Sequence, residues 1–346
     1  MNKVFNDKKR RIYIELTNRC NLCCSFCPYP DIKLHRKNIE IGMLKGILKD
    51  IKKNINYRII YFHNLGEPLL YGQLEEALSY CDEKGINYGI TTNGLLLPKK
   101  IELLMNKKIN QINISYQATR GALHDERNSG LTINSYRKMI IDSINKLQAG
   151  GYDGTIKIKL LTTNDNSFFK NKKFANIENR DELIFEIGKF YFDFYNIYLN
   201  QNQKAKLAVL DLNKHAKVQI RKNVFIDVFP FLNWGNYRQD VWPSFFGRCD
   251  AINEQLVILS NGDVVPCCYD VDSEMKLGNV SRQKLSEILV NKTTKEFTKE
   301  FSSMFVKQRR CRKCLGKIDL KGSIYEQFNV LFDSSKYDSG DNIIEL

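Results

Sequence analysis

The chain has 346 residues, 43% of them hydrophobic and 11% aromatic, which is ample for a buried core and excludes a disordered or fibrous protein. Its formal net charge of +14 comes from lysines scattered along the chain, so the charge is read as compositional and nucleic acid is not an expected partner. The basic start "MNKVFNDKKRR" runs straight into "IYIEL", and no run approaches the roughly 18 apolar residues of a membrane span, so a cytoplasmic protein without a membrane partner is expected.

Two periodicities alternate through the first half. "RRIYIEL" (10–16) is β-branched and aromatic, a strand, while "EIGMLKGILKDIKKN" (40–54) has apolar residues at helical spacing. Then follow the strand "YRIIYFH", the helix "QLEEALSYCDEKG", the strand "INYGITTNG" and a helix opening on Pro98. "INQINISYQ" predicts a strand, "INSYRKMIIDSINKLQAGG" a helix closed by Gly150 and Gly151, and "TIKIKLLTT" a further strand. Beyond residue 164 the pattern loosens: "DELIFEIGKFYFDF" reads as a helix, "YNIYLN" and "NVFIDVFPF" as strands, together a sixth βα unit. "QLVILSNGDVVPCCYD" predicts a β-hairpin with an Asn-Gly turn at 261–262.

This alternation predicts an α/β fold with a parallel sheet and helical crossovers, followed by a second, smaller module that holds five of the cysteines. Ligands in such folds gather at the C-terminal ends of the strands. There the chain places "NRCNLCCSFCPYP" (18–30), "HNLGEP" (63–68), "TTNG" (91–94) and "SYQ" (115–117). That coincidence marks the expected site.

Ten cysteines in a reducing compartment point to metal or catalysis rather than disulfides. Thiolates are soft ligands that suit zinc or iron–sulfur clusters. Adjacent Cys23 and Cys24 do not easily bind one tetrahedral ion together, which leaves Cys20, Cys27 and one of the two. No local histidine supplies a fourth ligand, and three thiolates with a vacancy suit a cubane with one open iron.

The C-x3-C-x2-C spacing of Cys20, Cys24 and Cys27, with Phe26 before the last cysteine, resembles the signature of the radical S-adenosylmethionine (SAM) superfamily. "LGEPLL" is similar to that family's glycine–glutamate–proline motif, with Leu65 in place of its first glycine, and "TTNG" and "ISYQ" match its strand-end segments. The resemblance implies a SAM-binding 4Fe–4S cluster on Cys20, Cys24 and Cys27, with Cys23 surplus. It also implies SAM contacts from Phe26, Gly66, Glu67, Pro68, Asn93, Ser115 and Arg127. No G-x-I-x-G-x-x-E motif accompanies strand five, so no adenine contact is assigned there.

A second group, Cys249, Cys267, Cys311 and Cys314, has C-x17-C-x43-C-x2-C spacing, and "NGDVVPCCYD…LGNV" resembles the SPASM/Twitch auxiliary-cluster domain. The resemblance selects Cys267 over Cys268 and implies an auxiliary 4Fe–4S cluster with complete protein ligation; a zinc ribbon is the alternative. The basic group "KQRRCRK" (307–313) flanks the cysteine pair and would offset the charge of whatever those thiolates bind. Cys81 is expected in a helical core, His63 in strand-end packing, His124 on a loop surface, and Trp234 and Trp242 in packing.

The resemblance implies a partial (β/α)6 TIM-like barrel over 1–235, a small cluster-binding domain over 236–325 and a tail over 326–346. It also implies an enzyme that reductively cleaves SAM to a 5′-deoxyadenosyl radical and abstracts a substrate hydrogen. Dehydrogenation of a sugar or cyclitol, with the auxiliary cluster accepting an electron, is the expected reaction. A flavodoxin- or ferredoxin-like donor would supply the reducing electron. The alternatives are a ribosomal-peptide maturase that crosslinks or epimerises, and a non-catalytic iron–sulfur or zinc protein that binds nucleic acid.

Overall fold

The computed structural model describes residues 10–117, 124–162, 177, 179–212, 214–230, 234–249, 251–302, 304–332 and 342–346. In chain order, the first part holds β1 (Arg10–Ile14), α1 (Ile41–Asn54), β2 (Tyr57–Phe62), α2 (Leu74–Glu83), β3 (Tyr88–Thr92), α3 (Leu97–Met105), β4 (Gln111–Gln117), α4 (Ile133–Ala149) and β5 (Thr155–Thr162). Next come α5 (Arg180–Tyr195), α6 (Gln201–Ala208), β6 (Ala216–Arg221) and β7 (Val224–Pro230). The last part holds β8 (Gln255–Ile258), β9 (Asp263–Val265), β10 (Gly278–Asn279), α7 (Lys292–Ser302), α8 (Arg309–Leu315), α9 (Leu320–Phe332) and β11 (Asn342–Glu345). The fold class is the expected one: α/β, with a mostly parallel open sheet consistent with a partial TIM-like barrel. No helix among the described residues is long and apolar enough to cross a membrane.

The chain divides into two compact units, one of Met1–Asn21, Cys27–Ile90 and Asn233–Tyr337, the other of Leu22–Phe26, Thr91–Leu232 and Asp338–Leu346. In the first, β1 lies between two parallel partners, with Ile12 opposite Ile60 of β2 and Leu256 of β8. β8 turns back through Gly262 (φ +85°) into antiparallel β9, as the Asn-Gly pair predicts. α1 buries Leu44, Ile47, Leu48 and Ile51, one face at helical spacing. Each such side chain contributes about 1.5–3 kcal/mol when fully buried. Cys81 is fully buried in α2, as expected.

In the second unit β4, β5 and β7 run parallel, and β6 pairs antiparallel with β7. Ile156, Ile158 and Leu160 of β5 and Val224, Ile226 and Val228 of β7 form one buried face. The segment Tyr195–Asn200, expected as a strand, is not one. α5 continues to Tyr195, Asn196 ends it in the left-handed region (φ +54°), and Tyr198 is 77% exposed. α6 then starts on an Asn200–Gln203 capping box. The expected sixth βα unit therefore reaches β7 through two helices and an antiparallel strand. The part of this region at 163–176 lies outside the described residues.

The turn after β2 holds the tightest backbone approach near the motifs. A Cβ built on Gly66 would stand 2.0 Å from the Thr17 carbonyl oxygen and 2.8 Å from that of Arg19. Gly66→Ala is therefore expected to destabilise by about 1–3 kcal/mol or more. Gly46→Ala, at an α1 position with nothing within 4 Å, is expected to stabilise by about 0.5–1 kcal/mol. Urea unfolding of the two variants checks both signs.

Candidate functional site

In the first unit β1 runs into a loop pinned before its first cysteine. Asn18 is buried; its Nδ2 donates to the His35 carbonyl (2.8 Å) and its Oδ1 accepts from Lys37 N–H (2.6 Å). The Tyr29 hydroxyl donates to the Cys20 carbonyl (3.2 Å), closing the loop on itself. Cys20, Phe26 and Cys27 are half-buried and Cys23 is exposed, as a surplus thiol would be. Beside this loop the Glu67 N–H donates to the Arg19 carbonyl (2.8 Å). Buried Glu67 also caps the short turn that Pro68 opens, its Oε1 accepting from Leu69 N–H (3.0 Å).

Glu15 was not singled out in the sequence, and it holds this end of β1 together. Its carboxylate accepts from Leu65 N–H (3.3 Å) and from Ser260 N–H (3.1 Å) and Oγ (2.9 Å). Burial pushes the Glu15 carboxyl up, against the pull of those donors. The motif turn after β2 and the hairpin after β8 thus meet on one acid. His63 packs edge-on against Tyr13 with ring centroids 5.2 Å apart, the strand-end packing expected.

The second unit holds Cys24. Ser25 N–H donates to the Glu126 carbonyl (3.0 Å), and Asn128 Nδ2 to the Cys23 carbonyl (3.0 Å), so 23–25 lies against the turn that carries Arg127. Arg127 is 1% exposed; its Nη1 donates to the Tyr116 carbonyl (2.7 Å) and to the Tyr136 hydroxyl (3.2 Å). Its Nε has no hydrogen-bond partner among the described residues, and its charge faces the Cys24 thiol. Burial raises that thiol above its ordinary range, outweighing the pull of Arg127. A buried cation beside a sulfur fits a ligating thiolate at Cys24. His124, expected on a loop surface, is instead fully buried, its Nε2 3.0 Å from the Leu131 carbonyl; burial and Arg127 hold its imidazole below the ordinary range.

Asn93 is buried at the end of β3, its Oδ1 accepting from Leu95 N–H (3.0 Å) and its carbonyl from the Tyr136 hydroxyl (2.6 Å). Ser115 belongs to a polar sheet face. On β4 that face carries Gln111, Asn113 and Ser115, and Asn113 Nδ2 donates to Thr91 Oγ1 (3.0 Å). In register it continues through Lys157 and Lys159 of β5, Asp227 of β7 and Lys217 of β6. Because β6 runs antiparallel, its preceding residue His215 arrives at the C-terminal end of β7. There His215 Nε2 is 2.6 Å from Asp227 Oδ1. Burial pushes the Asp227 carboxyl up, but the His215 hydrogen bond and the Lys159 and Lys157 charges outweigh it and hold the group below the usual carboxylate range. Neither His215 nor Asp227 was singled out in the sequence; the alternation of "AKVQIR" after a histidine was the available signal.

The second cysteine group lies in the first unit. Burial pushes the Cys267 and Cys311 thiols up, and each feels the charge of neighbouring cysteines: Cys267 that of Cys268, Cys314 and Cys311, Cys311 that of Cys314 and Cys249. Cys314 is pushed up to about 11 by burial, against Arg310. Among the described residues no three His, Cys, Asp or Glu side chains already stand as a metal-ion site. The donors are nonetheless sulfur, desolvated and mutually close, and a cradle is cut for them: a Cβ on Gly235 (φ +58°) would stand 2.7 Å from Cys314 Sγ. This set fits a soft iron–sulfur group. Cys268 turns to the apolar cluster of Val257, Leu259 and Val265. Trp234 stands edge-on to Tyr269, whereas Trp242, expected to pack, is 52% exposed.

The sequence matches the Radical SAM superfamily over residues 14–170 and the SPASM iron–sulfur cluster-binding domain over 249–315. It is 32% identical over 130 residues to the FeMo cofactor biosynthesis protein NifB of Methanocaldococcus infernus, covering 34% of this chain and 43% of that protein. It is 31% identical over 86 residues to the tungsten-containing aldehyde ferredoxin oxidoreductase cofactor-modifying protein of Pyrococcus furiosus, covering 25% and 24%. The matched stretch thus spans less than half of either relative. Among solved structures the fold is similar to Streptococcus suis SuiB bound to S-adenosylmethionine (TM-score 0.55, 17% identity, 84% of this chain and 67% of that one). It is also similar to anSMEcpe with bound AdoMet (TM-score 0.50, 17% identity, 94% and 93%).

Since the folded state lowers the Asp227 value, its contribution to stability is fully present above the ordinary 3.8 and is lost as pH falls through the folded value. Asp227→Asn is expected to destabilise at about pH 6 and to destabilise less at about pH 3, where part of the contribution is already lost. Urea unfolding at the two pH values checks this; an unchanged gap would contradict it.

Proposed function

From a chain that carries a radical SAM domain and a C-terminal SPASM domain, we propose an enzyme that oxidises a hydroxyl-bearing carbon of a small polar substrate such as a sugar or cyclitol. In this reading Cys20, Cys24 and Cys27 hold the SAM-binding 4Fe–4S cluster, and Cys249, Cys267, Cys311 and Cys314 hold the auxiliary one. When bound, these groups supply one-electron chemistry: cleavage of SAM to the hydrogen-abstracting 5′-deoxyadenosyl radical at the first, and uptake of the substrate's second electron at the other.

The chain's own residues do the rest. Glu67, with Gly66 and Pro68, presents the carboxylate that receives the SAM amino group, and Asn93 and Ser115 line the nucleoside. Phe26 packs beside the cysteine loop. Arg127 serves through Cys24 and Tyr116, with the SAM carboxylate as the contact carried over from the family. The observation that carries the choice of reaction is the His215–Asp227 pair, 2.6 Å apart, with Asp227 at the centre of β7 and His215 toward its C-terminal end. Converting a secondary alcohol to a carbonyl requires the hydroxyl proton to leave. His215 accepts that proton, and Asp227 orients the ring and stabilises its charged form. Polar Asn113, Ser115, Lys157 and Lys159 on the same face suit a hydroxylated substrate. An external flavodoxin- or ferredoxin-like donor and a cytoplasmic setting belong to this proposal. The alternative, peptide maturation, takes its support from the complex of SuiB, a protein of similar fold, with precursor peptide SuiA.

Anaerobic reconstitution is expected to give about eight iron and eight sulfide per chain, falling to about four in Cys267→Ala. Reduced protein with SAM and a panel of amino-cyclitols and sugars should release 5′-deoxyadenosine together with a carbonyl product. His215→Ala should lower carbonyl formation by about a hundredfold or more. Absence of 5′-deoxyadenosine under every condition would sink the enzyme reading; turnover of peptides alone would select maturation.

A further inference from the structure

We infer that Arg310 is a positioning residue of the auxiliary site: its buried guanidinium clamps the segments beside Cys267 and Cys314 and supplies the positive charge that raises the reduction potential of the cluster they hold. This inference rests on the ligand reading proposed above.

Arg310 opens the turn that carries Cys311 and Cys314, and it is 7% exposed. Its Nη1 donates to the Gly235 carbonyl (2.7 Å), and its Nη2 to those of Trp234 (2.8 Å) and Tyr269 (3.1 Å). Nε shares the Tyr269 carbonyl (3.3 Å). Three strands of chain converge on one side chain: the Trp234–Gly235 turn, the segment two residues past Cys267, and α8 itself. Asn236 reinforces the closure, its Nδ2 within 3.0–3.2 Å of the Lys313, Cys314 and Gly316 carbonyls. A planar fork spreads five donors over three nitrogens and so spans three separate carbonyls; a lysine ammonium carries its three donors on one nitrogen.

Every acceptor of Arg310 is an uncharged carbonyl, and among the described residues no carboxylate stands at ion-pair distance from it. A buried cation without a countercharge is costly. The Gly235 carbonyl it holds belongs to the residue whose Cβ would stand 2.7 Å from Cys314 Sγ, so the guanidinium is fixed beside that sulfur. The tyrosine ring of Tyr237, 5.6 Å from the guanidinium carbon, adds only a quadrupole. Thiolates bound to iron therefore provide the charge that this cation balances. A fixed positive charge beside a cluster favours the reduced, more negative form, which is the form an electron acceptor must reach.

The test uses a Cys24→Ala background, so that the auxiliary cluster alone is observed. Iron and sulfide content, the rate of iron loss to a chelator, and the midpoint potential by EPR-monitored titration are compared for Arg310, Arg310→Lys and Arg310→Gln. Arg310→Lys is expected to keep the parent potential while losing iron faster. Arg310→Gln is expected to shift the reduction equilibrium at least tenfold toward the oxidised form, about 59 mV for one electron. If Arg310→Gln holds no cluster while Arg310→Lys does, the need for charge stands. A Gln variant at the parent potential, or a Lys variant whose potential falls, overturns the proposal. So does a chelation rate unchanged in both variants. Cys311→Ala separates the two claims: retention of auxiliary iron there refutes the ligand reading, whereas its loss alongside silent Arg310 variants refutes only the role of Arg310.

Discussion

Two carbonyl oxygens, those of Thr17 and Arg19, occupy the space a side chain would need at residue 66. Because Gly66 has no Cβ, the turn after β2 can press against the chain leaving β1, and the Glu67 N–H reaches the Arg19 carbonyl at 2.8 Å. Cys20 follows one residue later. The Glu67 carboxylate and the Cys20 thiol are thus registered by backbone hydrogen bonding rather than by flexible side chains. Glu15 extends the same logic, since its single carboxylate receives Leu65 and Ser260 and so couples the motif turn to the hairpin that precedes Cys267.

Buried charge is the second organising constraint. Arg127 and Arg310 are both nearly inaccessible, both donate to backbone carbonyls, and both lie beside a cysteine thiol without a carboxylate at ion-pair distance among the described residues. In a low-dielectric interior such a cation is tolerated only where negative charge comes close. Thiolates that carry iron meet that condition, so the two arginines are best understood together with what the cysteines bind. The Asp227–His215 pair is a different arrangement: a carboxylate held charged by a histidine and the lysines of the facing strand, on the face of β7 opposite buried Val224, Ile226 and Val228.

Much of this was legible in the residues, and the reasons are local. β1 to β5 and their helices announce themselves through periods of two and 3.6, and Asn261-Gly262 through the positive φ its turn demands. The motifs fall at strand ends because chain order alone puts them there. Tyr195–Asn200 was misjudged because its aromatics suggest a strand, while the decisive residue is Asn196, which ends α5 in the left-handed region. The burial of His124 depends on a loop without periodicity. Arg310 was readable only as one charge in a basic group. Its acceptors Tyr269, Gly235 and Trp234 lie 41, 75 and 76 residues away in sequence, a separation that no local pattern encodes.

The central claim is an asymmetry between the two cysteine groups: three thiolates leave one iron open to SAM, and four leave none. EPR of the reduced, fully reconstituted protein with and without SAM addresses it directly. The account predicts that SAM changes the signal of one cluster, absent in Cys24→Ala, and leaves the signal lost in Cys311→Ala untouched. A SAM-induced change in the cluster that Cys311 holds, or no change in either, would contradict it.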